Sequence, residues 1–277
     1  MFDKVSFSGH EKFDCKIDWI SRGLIEFNKC DKLFTNSKLD YSIEVLGLGG
    51  NMVKSLHFWL NALGLLEKNT LSNIGKIILE KDVFLENLDT IWLLHWNLVK
   101  NKSKATLYSL FFNYFYQYNF TKESLCQFVV AFLKKLDMSI SENSIKFDID
   151  VLLRMYDGYG DLGLFKDLQI LSRKDFSWNL NIGNTANISD EVFLYILVDY
   201  IQMLDIKDSI SIDEIQYSKL SIQKSLCLNE NGLFMKINNI EHISNGALLY
   251  SESGGIRHIY LNKNLNTEDM LNRIYSV

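Results

Sequence analysis

"LGLGGNMVKSLHFWL", residues 46–60, is the stretch on which the reading of the fold turns. Three glycines lead into a lysine, a serine and an apolar-periodic run. A phosphate-binding P-loop needs glycine directly before its lysine, so that backbone amides cradle phosphate while the lysine reaches it. Here Val53 precedes Lys54, and three residues separate that lysine from Gly50. The segment before the turn reads as helix rather than strand. Gly47, Gly49 and Gly50 also lack the spacing of a dinucleotide fingerprint. A helix-turn-helix fits better. Asn51 is placed to cap a helix whose Val53, Leu56, Leu60 and Leu63 form one apolar stripe, and Gly64 stands where a left-handed C-terminal residue is expected.

Working outward, "IDWISRGLIEFNK" (17–29) spaces Ile17, Ile20, Leu24 and Phe27 on one helical face, and residues 37–46 form a second short helix. After the third helix, "LLEKN" and "GKIILEKD" read as the two strands of a wing. Two short helices, a glycine turn, a third helix and a hairpin make the order of a winged helix-turn-helix. In that arrangement Gly49, Gly50, Asn51, Lys54, Ser55, His57 and Asn61 face a DNA groove. The same pattern also serves a small helical subdomain without a ligand.

"IWLLHWNLV" (91–99), with Asp89 or Thr90 as its cap, is apolar on all sides and therefore buried. "ATLYSLFFNYFYQYNF" (105–120) continues as helix; its aromatics suit core packing better than a base-stacking platform. Residues 122–136 and 190–205 are amphipathic helices, with "DGYGDLG" and "NLNIGNTANIS" as loops between them. The glycines of "GYGDLG" match a nucleotide fingerprint but follow a helix, which marks a loop. In the tail, "SIDEIQYSKL" is a helix and "GLFMKI", "ALLYSES" and "RHIYL" are strands. The expected class is mainly α with small β (α+β), divided as a winged-helix-like domain at 1–81, a helical domain at 82–205 and a small α+β, winged-helix-like domain at 206–277.

The bulk numbers narrow the function classes. The chain has 277 residues, 47% hydrophobic and 23% charged, with a net charge of −5, and it has no proline. Its turns therefore rest on Gly, Asn, Asp and Ser. An acidic whole argues against coating nucleic acid through bulk charge, but a local basic face is enough for DNA. Cys15, Cys30, Cys126 and Cys227 have neither metal-knuckle nor redox-pair spacing and read as reduced thiols. "MFDKVSFSGHEKFD" carries charges where a signal peptide needs an apolar core, and no apolar run reaches the ~18 residues of a membrane helix. The expectation is a cytoplasmic protein with no membrane partner.

Two constellations carry possible chemistry. "GHE" sets His10 beside Glu11, and "DVFLE" sets Asp82 four residues from Glu86, with His95 following. Carboxylates with histidine hold divalent metals that activate water against phosphodiesters. The same residues serve equally as helix caps and a buried, hydrogen-bonded histidine.

Taken together, "FSGHEKFDCKIDWISRG", "LGLGGNMVKSLHFWLNALGLL", "DVFLENLDTIWLLHWNLV", "LFFNYF" and "YSESGGIRHIYL" resemble a bacterial domain-of-unknown-function family that includes the SspB-like proteins of DNA phosphorothioation systems. The resemblance runs from Phe7 to about Leu261. It implies a role in DNA modification and phage defence, with duplex DNA as ligand. SspB-type members are taken to nick one strand, after which partner enzymes insert sulfur: an ATP pyrophosphatase, a cysteine desulfurase and an ATPase. His10 and Glu11 match the family's "GHE". Gly49, Asn51, Met52 and Val53 match its glycine turn, Asp82, Leu85 and Glu86 its acidic pair, His95 the end of "WLLH", and Arg257 a C-terminal arginine. The chain departs from the family at Gly50, where a lysine is common, and at Lys12 and Gly254. These matches set the expectations: His10, Glu11, Asp82, Glu86 and His95 as catalytic; Glu11, Asp82 and Glu86 as ligands for Mg or Mn; and Arg257 as a further DNA contact. A non-catalytic DNA-binding adaptor and a transcriptional regulator are the alternatives.

Overall fold

The computed structural model describes residues 4–157, 163–183, 187–263 and 265–276. It is mainly helical with small antiparallel sheets, as expected. The chain divides into two compact units, Met1–Asn181 and Ile182–Val277. Gly158 and Gly160 of the glycine-rich loop lie outside the described residues.

In the first unit, α1 (Ile17–Lys29) buries Ile20, Leu24 and Phe27, the face that the spacing marks. α2 (Leu39–Leu46) stops at Gly47, whose φ of 63° no side chain adopts readily. α3 (Gly50–Ala62) follows at once, and α1, α2 and α3 pack against one another. The cap of α3 is Gly49, not Asn51. Gly49 has the extended backbone of a capping residue, and Asn51 already lies inside the first turn. Gly64, with φ of 73°, ends the helix as expected.

The hairpin after α3 is smaller than the sequence suggests. β1 (Leu66–Glu67) and β2 (Thr70–Leu71) pair through Lys68 and Asn69, whose φ values of 49° and 60° make a primed hairpin turn. "GKIILEKD" is not a strand: it belongs to α4 (Asn73–Lys81). The Ser72 hydroxyl accepts the Gly75 N–H as N-cap, and Ile74 and Ile78, four apart, take the buried face. A short apolar run does not show its period until its cap is recognised.

α5 (Leu88–Lys100) is capped by Asn87, which accepts the Asp89 N–H, rather than by Asp89 or Thr90; residues 90–99 are all buried. α6 (Thr106–Leu110) runs into a π-helical turn at Phe111–Phe115. Tyr108, Phe111, Phe112 and Phe115 are buried, so this aromatic run is core. β3 (Asn119–Phe120), α7 (Lys122–Lys135) and α8 (Glu142–Asp157) follow, with a capping box of Thr121 and Ser124 at the start of α7. β4 (Leu171–Lys174) and β5 (Ser177–Leu180) form a hairpin that the sequence reading leaves undescribed; with β3 they make a sheet in the order β3-β5-β4.

The second unit begins with α9 (Asp190–Met203), buried on nearly all sides. β6 (Ser209–Ser211), α10 (Ile212–Tyr217), α11 (Ile222–Ser225), α12 (Glu230–Asn238) and α13 (Ile240–Ile243) lead to a hairpin of β7 (Leu248–Ser253) and β8 (Ile256–Leu261), and α14 (Thr267–Ile274) packs on α9. The sheet order is β6-β8-β7. Gly254 and Gly255, at φ of 59° and 81°, make its tip. "GLFMKI" falls in α12, not in a strand. Asn229 accepts the Gly232 N–H as N-cap, and Leu233 and Ile237 bury one helical face.

Candidate nucleic-acid interface

α3 presents two contrasting faces. Val53, Leu56, Trp59, Leu60 and Ala62 are buried against the unit's interior. Gly50, Lys54, His57 and Asn61, spaced four, three and four apart, lie along the other side, with Asn51 and Lys54 exposed. The Asn61 amide N–H donates to the His57 carbonyl at 2.8 Å. Lys104 reaches in from beyond α5 and donates to Asn61 Oδ1 at 3.0 Å. The His57 ring stacks on Phe34 with 4.7 Å between centroids. Burial first, and then the Lys104 charge, push the His57 pKa below its usual value, so the ring is neutral at pH 7. Burial and the charge of Lys4 likewise lower that of Lys104. Lys4 and Lys104 thus lie close together, and Lys104 adjoins the Asn61 end of the face on which Lys54 stands.

The start of α3 is open. Among the described residues no side chain caps its first-turn N–H groups. A Cβ added to Gly49 would meet nothing within 4 Å, and one on Gly50 only ordinary contact with Ile43 at 3.7 Å. Neither glycine has a positive φ. Nothing among the described residues requires a glycine at either position, whereas a ligand brought close to the backbone there would.

Ser55 does not belong to this surface. It is fully buried, and its hydroxyl has no hydrogen-bond partner among the described residues. The buried arc of α3 is wider than the single stripe read from the sequence. Ser55, Trp59 and Ala62 form a second buried line, and the N-terminal segment packs on its Trp59. The Trp59 ring stacks on His10 at 5.5 Å, and its Nε1–H donates to the Phe13 carbonyl at 3.0 Å.

The residues expected to catalyse are dispersed. His10 is buried: Nδ1 accepts the Lys12 N–H at 3.1 Å, and Nε2 stands 3.2 Å from Asp148 Oδ1, out of hydrogen-bond alignment. It anchors the N-terminal segment between α3 and α8, while the adjoining Glu11 is exposed. Asp82 terminates α4 and folds the connection to α5 around itself. Its Oδ1 accepts from Glu86 N at 2.9 Å, and its Oδ2 accepts from Asn87 N at 3.2 Å and Thr90 Oγ1 at 2.6 Å. Glu86 projects to solvent. His95 is fully buried, 2.7 Å from the Tyr156 hydroxyl and edge-on to Trp92, Phe112 and Phe165. Two expected catalytic residues are thus packing groups, and one is a loop lock. In the second unit, Arg257 is held 3.5 Å from Gln216 Oε1 and 3.7 Å from Asp213, with its guanidinium over the Phe234 ring. Asp148 and Lys104 escaped sequence reading because no local pattern marks them.

Residues 7–275 match the family described as protein of unknown function (DUF4007). The chain belongs to that family. Two solved structures share the DUF4007 chain's fold: a magnesium ion-bound SspB crystal structure at 21% identity and an SspB crystal structure at 20%. Each has a TM-score of 0.82, with 97% of this chain and 86% of the other covered. No curated protein matches the chain. Among the described residues of this DUF4007 protein, no group of three or more His, Cys, Asp or Glu side chains is placed to hold a metal ion, so Glu11, Asp82 and Glu86 do not form a ligand set. Among the same residues, no helix is long and apolar enough to cross a membrane.

Proposed function

We propose that this protein binds duplex DNA through α3, as a component of a bacterial phosphorothioation system that presents the DNA to sulfur-inserting partner enzymes. The observation that carries the reading is the open start of α3. Uncapped N–H groups and two glycines with room for a side chain adjoin a face bearing Lys54, His57, Asn61 and Lys104. Helix N-termini and backbone amides hold phosphate oxygens, and a lysine one turn on adds charge. The order of α1, α2, α3 and a short hairpin supports α3 as the recognition helix of a winged helix-turn-helix. The SspB likeness and the sequence resemblance supply the phosphorothioation context.

One SspB structure is magnesium-bound, but the residues expected to hold a metal in this chain do not gather into a site.

Fluorescence anisotropy with a labelled duplex across a salt series tests the proposal. Lys54→Glu is expected to weaken binding and to lower the log–log salt slope by about one, the share of one lost phosphate contact. Unchanged affinity and slope in the folded variant would remove α3 from the interface.

A further inference from the structure

We propose that Lys4 and Lys104 form a phosphate-binding site at the far end of α3, so that one duplex is held both at the start of the helix and beside its last turn. The proposal rests on the duplex-binding reading and adds to it an anchor built by two segments outside the helix-turn-helix. Asn101 fixes the loop after α5 to the end of α3. Its Nδ2 donates to the Ala62 carbonyl at 3.2 Å, and its Oδ1 accepts the Lys104 N–H at 3.2 Å. That loop brings Lys104 Nζ to 3.0 Å from Asn61 Oδ1. The N-terminal segment runs alongside, because the Ser6 N–H donates to Thr106 Oγ1 at 2.8 Å. Lys4 thereby comes close enough for its charge to act on Lys104.

Both lysines are exposed, and among the described residues neither is paired with a carboxylate. Lys104 uses one of its three N–H groups on Asn61, which leaves two for a ligand. Partial burial first, and then Lys4, disfavour its charge. That charge acts in turn on His57, whose carbonyl accepts the Asn61 amide one helical turn on. A lysine that serves only to complement the end of a helix needs no second lysine beside it. Like charges held together without a carboxylate between them are complementary to an anion.

The anion is a backbone phosphate of the duplex that meets the α3 face. Asn61 stands eleven residues after Gly50, which places the two ends of the contact about 16 Å apart at about 1.5 Å per residue. The major groove is about 12 Å wide and has a backbone along each side. One duplex therefore reaches the open start of α3 and the Lys4–Lys104 pair together. A carboxylate-bearing protein segment is the rival occupant.

Anisotropy of a labelled duplex across a salt series gives the first readout. Lys4→Ala and Lys104→Ala are each expected to lower the log–log slope by about one, and the double variant by about two. Near 0.1 M salt each lost contact should weaken binding about tenfold. Lys104→Arg keeps the charge and should keep the slope. Brief acetylation read by mass spectrometry gives the second readout. Lys104 is modified in the free protein, and saturating duplex is expected to abolish that modification while the exposed Lys207 of the second unit reacts as before. Slopes unmoved in both single variants, or Lys104 still acetylated in the saturated complex, would overturn the proposal and leave the carboxylate-bearing partner. Duplex binding that depends on Lys54 but not on Lys4 and Lys104 removes this site alone. Binding that depends on these two lysines but not on Lys54 keeps the site and removes the α3 face. No duplex binding at all removes both.

Discussion

Asp82→Ala separates a metal ligand from a structural lock. The Asp82 carboxylate accepts three hydrogen bonds, from Glu86 N, Asn87 N and Thr90 Oγ1. Hydrogen bonds to charged groups contribute about 1.5–3 kcal/mol each when protected from water. Two of the three donors lie close enough to the surface to be rehydrated in the variant, so they contribute little to its loss. The Thr90 side chain is fully buried, so water does not replace the carboxylate acceptor it loses. Losing that charged acceptor costs about 1.5–3 kcal/mol, and the loosened turn adds to that. We expect a total loss of about 2–4 kcal/mol, or a fall in Tm of roughly 5–12 °C for a unit of this size. Urea unfolding followed by tryptophan emission measures it cleanly, because all five tryptophans (Trp19, Trp59, Trp92, Trp96 and Trp178) belong to the first unit. Asp82→Asn keeps one accepting oxygen and should fall between wild type and Asp82→Ala. A loss below about 0.5 kcal/mol in Asp82→Ala would refute the lock. So would a Mg²⁺-dependent rise in Tm that wild type shows and Asp82→Ala lacks.

Ser55→Ala removes a buried hydroxyl that has no partner, so stability should hold or rise by up to about 1 kcal/mol, with duplex affinity unchanged; a loss of affinity at constant stability would return Ser55 to the interface. For His57 the sign runs through its lowered pKa. The unfolded chain takes up the proton first, so the stabilisation held by the neutral ring is complete above about pH 6.5 and is lost as pH falls through the folded value. Phosphate beside the ring favours the proton, so duplex affinity should rise below about pH 6.5 in wild type and do so less in His57→Gln. Equal pH profiles of binding for the two proteins would place His57 away from the phosphates.

What the sequence by itself determined is local. The period of α1, the left-handed stop at Gly64, the glycine tip of the β7–β8 hairpin and the buried character of α5 each follow from residues within a few positions of one another. Even at this range short apolar runs mislead. "GKIILEKD" and "GLFMKI" suit strand or helix equally, and the caps at Ser72 and Asn229 make both of them helical. The tertiary structure alone decided which polar residues meet. His95 sits among aromatics from α5, the π-helical turn, α8 and the segment after it, and His10 faces Asp148 from the far side of the sequence. Ser55 went inside although no apolar stripe marks it, and Lys104 reached Asn61 across two intervening helices. Backbone periodicity fixes the direction of a side chain relative to its own helix. Whether that direction ends in solvent, in a hydrogen bond or against another ring depends on packing between segments distant along the chain, and no short stretch of sequence encodes that.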